Sequence, residues 1–135
     1  MTLPELKKIL YVEDDLDIQV IAMIALEHVG GFTVRACSSG AEALAVAPEF
    51  QPDLILLDVM MPGMDGFATL AALRREDSTA AIPVIFMTAK VQGYEIADYH
   101  KAGALGVIAK PFDPMTLAAQ IRTLWARATS TPDTR

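Results

Sequence analysis

The sequence predicts an α/β domain, a doubly wound parallel sheet of five strands with helices on both faces. Strand-like and helix-like segments alternate five times along the chain, and the strand-like segments are mostly unbroken apolar runs, the pattern of strands buried on both sides. A third observation concerns chemistry. Four of the five strands end in reactive or charged groups, at Glu13 and Asp14, Asp58, Thr88 and Lys110, and in open α/β sheets ligands bind beyond the carboxyl ends of the strands.

The first strand is Lys8 to Val12, stopped by three acids, Glu13, Asp14 and Asp15. A helix over 17–29 follows, with Asp17 as its cap and Ile18, Ile21, Ala22, Ala25 and Val29 at the spacing of a core-facing stripe. Gly30 and Gly31 end it. The same helix carries a second apolar set, Val20, Met23 and Ile24, which is either covered by a neighbouring loop or meets a partner or a second copy of the chain. Phe32 to Ala36 is the second strand, and residues 39–47 form a helix capped by Ser38 or Ser39. Pro48 and Pro52 bound the connection to the third strand.

That third strand is Leu54 to Asp58, four apolar residues running into one carboxylate, with a Pro62-Gly63 turn close behind. Asp65 to Glu76 is the third helix, with Asp65 as cap and Phe67, Leu70, Ala71 and Leu73 facing inward. Pro83 to Met87 is the fourth strand, with proline at its first position, where a missing N–H is tolerated. A weaker helix over 92–102 ends at Gly103, and Ala104 to Ala109 is the fifth strand. Lys110 and Pro111 close it, Pro111 being a candidate for a cis bond that aims the lysine inward. The last helix spans 113–127 with Leu117, Ile121, Leu124 and Trp125 on one face. Residues 7–127 then form one domain and 128–135 a disordered tail.

Composition narrows the function. At 135 residues, 53% hydrophobic and 21% charged, the chain is an ordinary globular domain with room for one core. A formal charge of −6 with scattered Lys and Arg argues against direct contact with nucleic acid, which needs clustered cations. No apolar run is long enough to span a bilayer and the N-terminus lacks a signal pattern, so a cytoplasmic location without membrane contact is expected. Cys37 has no pairing or metal-ligand partner at useful spacing and reads as packing. His28 and His100 read as surface residues.

The strand-end groups fit one chemistry. Clustered carboxylates resist joint ionisation unless a cation neutralises them, and Mg²⁺ prefers hard oxygen ligands. A phosphoryl group arriving on Asp58 would meet that metal on one side, the Lys110 ammonium on another and the Thr88 hydroxyl on a third. In their order and spacing Glu13, Asp14, Asp58, Thr88 and Lys110, with the Pro62-Gly63 turn, resemble the receiver domains of two-component response regulators, and are similar to the single-domain chemotaxis type. The resemblance covers residues 7 to 127 and implies a flavodoxin-like sheet of strand order 2-1-3-4-5. It implies Asp58 as phosphoacceptor, Thr88 as switch hydroxyl and Lys110 as the pairing lysine. It also implies Mg²⁺ ligation by Asp14, Asp58 and the carbonyl of Met60, with Glu13 acting through water.

On this reading the chain is a stand-alone signalling switch. It takes its phosphoryl group from a sensor histidine kinase or histidine phosphotransfer protein, catalyses only its own modification, and acts on an unidentified downstream protein, with a homodimer on the first helix an open question. One position departs from the family: three residues before Lys110, where the family carries Tyr or Phe, this chain has Val107. Readout then passes through the loop from Thr88 to Gly93 or through the helix bearing Tyr94 and Tyr99. Two rival classes are kept. One is a receiver-fold interaction module that signals without phosphorylation. The other is a phosphatase with an aspartyl nucleophile, which needs a second acid where this chain has Met60.

Overall fold

Five parallel strands form one sheet in the order β2-β1-β3-β4-β5. The structure, a computed structural model, describes residues 5–89 and 93–130, the side chains of 93–96 and 129–130 excepted. The elements in chain order are β1 Lys8–Val12, α1 Leu16–Ile24, continued by a π-helical turn Ala25–Val29, β2 Thr33–Cys37, α2 Gly40–Phe50, β3 Leu54–Asp58 and α3 Gly66–Arg75. Then come β4 Val84–Thr88, α4 Gly93–Lys101, β5 Gly106–Ala109 and α5 Leu117–Ser130. This is the expected doubly wound flavodoxin-like architecture.

Alternation along the central strands divides the core in two. Ile9 and Tyr11 of β1, with Leu54 and Leu56 of β3, face α1 and α5, where they meet Ala22, Leu26, Leu117, Ile121 and Trp125. Leu10, Val12, Ile55 and Leu57 face the other way, among Val46, Leu70, Leu73, Phe86 and Tyr99. All of β3 and β4 is buried, which is why their sequences read as continuous apolar runs. β2 lies at the sheet edge and alternates between exposed and covered residues. Truncating one fully buried side chain, Leu57 to Ala, would cost about 2–5 kcal/mol.

Several expected details shift. Asp15, not Asp17, caps α1, its side chain accepting from Asp17 N at 3.0 Å and Ile18 N at 3.2 Å. The helix therefore begins at Leu16 and its buried face is Ala22, Ala25 and Leu26. Ile21 is 47% exposed and Val29 45%; at Val29 the π turn, in which Gly30 N donates to Ala25 O, adds a residue and rotates the stripe. Pro48 lies inside α2 rather than after it. The helix runs on to Phe50 and closes on left-handed Gln51, whose amide side chain donates to Pro48 O at 2.8 Å.

On α3 the inward residues are Gly66, Thr69, Leu70 and Leu73, with Ala71 outside. Residues 113–116 form a turn held by the Asp113 side chain and carbonyl before α5 begins. That helix continues to Ser130, three residues past its expected end, while 131–135 lie outside the described residues. Cys37 and Trp125 are buried and His28 and His100 exposed. Among the described residues no helix is long and apolar enough to cross a membrane.

Candidate functional site

The carboxyl ends of β1, β3, β4 and β5 converge on one edge. Asp58 closes β3 at 2% exposure, held between β1 and β4. Pairing continues one residue beyond it, with Val59 N donating to Met87 O at 3.0 Å, so the carboxylate leaves a rigid backbone. The turn that follows depends on glycine twice. Gly63 has φ +74°, a conformation that L side chains avoid. At Gly66 a Cβ would come within 2.7 Å of the Asp58 carbonyl and 2.8 Å of Val59 Cα. The first turn of α3 is thereby packed directly on the backbone of Asp58, with Asp65 capping it through Ala68 N at 2.8 Å.

Glu13 and Asp14 arrive from the end of β1. Glu13 is 1% exposed and Asp14 faces solvent. One carboxylate oxygen from each of Glu13, Asp14 and Asp58 can be chosen so that all three lie within 4.8 Å of one another. Lys110 comes from the end of β5, ahead of a cis bond to Pro111. Its ammonium donates to Glu13 Oε1 at 3.0 Å and to Asp58 Oδ1 at 3.2 Å. Three carboxylates and one ammonium leave an excess of negative charge around hard oxygen donors, and that donor set suits a divalent cation such as Mg²⁺. Met60, whose carbonyl was expected to join the set, follows Asp58 by two residues, its side chain 60% exposed.

The electrostatics follow from burial and crowding. Burial first, and the Glu13 charge second, push the Asp58 carboxyl from its ordinary 3.8 up to about 7 against the opposing pull of Lys110. For Lys110, burial works to lower the pKa, but the Glu13 hydrogen bond and the Asp58 charge prevail and raise it. Cys37 is pushed up to about 11, chiefly by burial, which suits packing rather than reactivity.

Two supports of the site escaped the sequence reading. The Tyr11 hydroxyl donates to Glu13 Oε1 at 3.3 Å from a fully buried position, and burial followed by the Glu13 charge raises its pKa. Gln19 of α1 donates to the Glu13 carbonyl at 3.0 Å and to the Cys37 carbonyl at 3.3 Å, tying the ends of β1 and β2 together. Strand periodicity could have found the first, since residues two apart share a face.

Thr88 closes β4, one position past the partner of Asp58, and is buried. It shares a strand face with Phe86, the face that meets α4. There the Tyr99 hydroxyl donates to Thr88 Oγ1 at 3.4 Å. Val107 is half-buried against the same cluster. Of the expected readout segment, residues 90–92 and the Tyr94 side chain lie outside the described residues.

Beside Lys110 a groove of about 540 Å³ is walled by Ile18, Ile21, Ala89, Pro111, Phe112 and Pro114. Along the adjoining face of α1, Leu16, Val20 and Ile24 are 61%, 58% and 53% exposed, four residues apart and so aligned. Met23, expected among them, instead packs against the core beneath α1.

Comparison with known proteins places this geometry. The model of the response regulator receiver domain matches residues 9–122. The chain is 37% identical over 131 residues to the DNA-binding dual master transcriptional regulator RpaA of Synechocystis sp., covering 93% of this chain and 52% of that one. It is 33% identical over 126 residues to the DNA-binding response regulator MtrA of Mycobacterium tuberculosis, covering 93% and 54%. The chain spans about half the length of the curated relatives it matches. Among solved structures, the chemotaxis response regulator CheY4 of Vibrio cholerae superposes with a TM-score of 0.81 at 30% identity, covering 89% of this chain and 99% of that one. A response regulator from Desulfuromonas acetoxidans gives 0.78 at 30% identity, covering 89% and 97%.

Proposed function

This chain belongs to the response regulator receiver domain family, and we propose that it works as a phosphoacceptor switch in which Asp58 takes a phosphoryl group from a phosphohistidine. The observation that carries this reading is the setting of Asp58: a buried carboxylate with Lys110 Nζ 3.2 Å from Oδ1 and the carboxylates of Glu13 and Asp14 alongside. In the transfer an Asp58 oxygen attacks phosphorus, the P–N bond to the donor imidazole breaks, and the freed ring nitrogen keeps the electron pair and takes up a proton. Water later attacks the acyl phosphate, releasing inorganic phosphate and restoring the carboxylate. The chain catalyses these two steps on itself and turns over no other substrate.

Asp14, Asp58 and the Met60 carbonyl would hold Mg²⁺, with Glu13 acting through water. The ion, when bound, offsets the negative charge gathered by the carboxylates and the phosphoryl oxygens. The chain's own residues do the rest. Lys110, steered by Glu13, keeps a cation beside Asp58 as charge arrives there. Tyr11 and Asp15 N hold Glu13 in place, through bonds of 3.3 and 3.2 Å. Thr88 offers a hydroxyl from the neighbouring strand.

The donor is a sensor histidine kinase or a histidine phosphotransfer protein, and the apolar groove beside Lys110 with the Leu16, Val20 and Ile24 stripe suits the apolar flank of a donor helix. The test is transfer of labelled phosphate from a phosphohistidine-bearing donor. Label on the wild-type chain in Mg²⁺, absent from Asp58→Asn and after chelation, is the expected result. Label that persists in Asp58→Asn would remove the assignment.

A further inference from the structure

The hydroxyl of Tyr99 reaches Thr88 from inside a clamp of rings. Tyr99 is stacked on Phe67 at 5.4 Å and 14° and leans on Phe86 at 5.5 Å and 55°, while Phe67 and Phe86 are 5.1 Å apart. α3, β4 and α4 thus contribute one ring each. Tyr99 is 4% exposed and Thr88 1%, so their contact of 3.4 Å is made away from water. Ring packing of this kind is orientation-dependent and leaves the phenol little lateral freedom, so the hydroxyl is delivered to Thr88 by the core.

An oxygen that accepts Tyr99's hydrogen keeps its own hydrogen to give, and a hydroxyl that accepts while it donates is the stronger donor. The 3.4 Å separation is also longer than the relaxed O–H···O spacing of about 2.7–2.8 Å. It has room to shorten when Thr88 turns its hydrogen to a more negative acceptor. Resting on the phosphoacceptor reading of Asp58, we propose that Tyr99 is a positioning residue of the switch. It orients and polarises the Thr88 hydroxyl toward phosphoryl oxygen on Asp58, and the tightened Tyr99–Thr88 contact carries the phosphorylated state into α4. β5 brings Val107 to this cluster, an aliphatic side chain without a hydroxyl, while α4 brings the Tyr99 hydroxyl to Thr88.

The test uses the full chain labelled with fluorotyrosine, the Tyr99 fluorine resonance being identified by its loss in Tyr99→Phe. Fluoroberyllate with Mg²⁺ is the probe, and its own bound fluorine resonance reports occupancy of Asp58. The Tyr99 resonance moves on binding. In acetyl phosphate, Tyr99→Phe slows phosphorylation about two- to ten-fold, as loss of one hydrogen bond would, and this effect vanishes in a Thr88→Val background. Bound fluoroberyllate with an unmoved Tyr99 resonance, or a Tyr99→Phe effect of equal size in both backgrounds, overturns the proposal alone. The absence of both fluoroberyllate binding and phosphorylation in the wild-type chain would overturn the reading of Asp58, and this proposal with it.

Discussion

The Lys110 ammonium lies 3.2 Å from Asp58 Oδ1, closing the end of β5 onto the end of β3 across the strand between them. Lys110 also bonds Glu13 at 3.0 Å, so one cation is shared by two buried acids. Replacing it with methionine keeps the stem and deletes the charge. Phosphorylation of Lys110→Met by acetyl phosphate is expected to slow about 100-fold or more, the scale of losing a preorganised charge partner. A rate within a few-fold of wild type, measured by intact mass against time, would show that Lys110 is structural.

The raised pKa of Asp58 has a signed consequence for stability. Between 3.8, its ordinary value, and about 7, the folded chain binds more protons than the unfolded one. The contribution of Asp58 is therefore complete below the lower value and lost as pH rises through the upper. Metal-free protein is expected to lose stability from pH 5 to pH 8 by an amount on the order of a few kcal/mol attributable to this group, and Asp58→Asn is expected to flatten the profile. Chemical denaturation in chelator across that range checks it, and identical slopes for the two proteins would contradict it.

Mg²⁺ is expected to act on the same charge. Binding only to the folded acidic cluster, it should stabilise the fold by mass action, by about 2.7 kcal/mol at one hundred times its dissociation constant, and so raise the melting temperature. Asp14→Ala, a change at an exposed residue that leaves the core untouched, should abolish the rise. A rise that survives that substitution would move the ion elsewhere.

Gly66 sets the backbone behind Asp58. A methyl there meets the Asp58 carbonyl at 2.7 Å, so Gly66→Ala must push α3 away from β3 or shift Asp58 itself. A destabilisation of about 1–3 kcal/mol from overpacking, together with slower phosphorylation, is expected in denaturant titrations and rate assays. A neutral effect on both would mean that the turn yields without disturbing the acid.

The α1 surface separates docking from chemistry. Val20→Glu with Ile24→Glu should slow transfer from a protein donor about ten-fold or more while leaving the acetyl phosphate rate unchanged, because both residues are exposed and neither belongs to the carboxylate cluster. Equal rates from the protein donor, with an unchanged mass in solution, would free this face of any partner or second copy.

What the sequence made legible was whatever depends on local pattern. Leu54 to Asp58 read as a buried strand ending in an acid because both its neighbours are strands, and apolarity on two faces leaves no other pattern. Glu13, Asp14 and Lys110 were found because each ends such a run. Asp17 was read as the cap of α1 where Asp15 serves, since any of the adjacent acids can cap a helix and only the end point of β1 selects one. The outward Val29 depends on a π turn that 3.6-residue periodicity cannot contain. The Tyr99–Thr88 bond joins residues 11 apart through a connection that carries no pattern of its own, and becomes visible only once α4 is packed on β4.

The central claim is that Asp58 is the phosphoryl acceptor, and mass spectrometry of the chain after acetyl phosphate and Mg²⁺ tests it most directly. The account predicts a gain of one phosphoryl group, located to Asp58 after borohydride reduction of the acyl phosphate and absent in Asp58→Asn. A phosphoryl group found on another residue, or no gain with Mg²⁺ present, would contradict it.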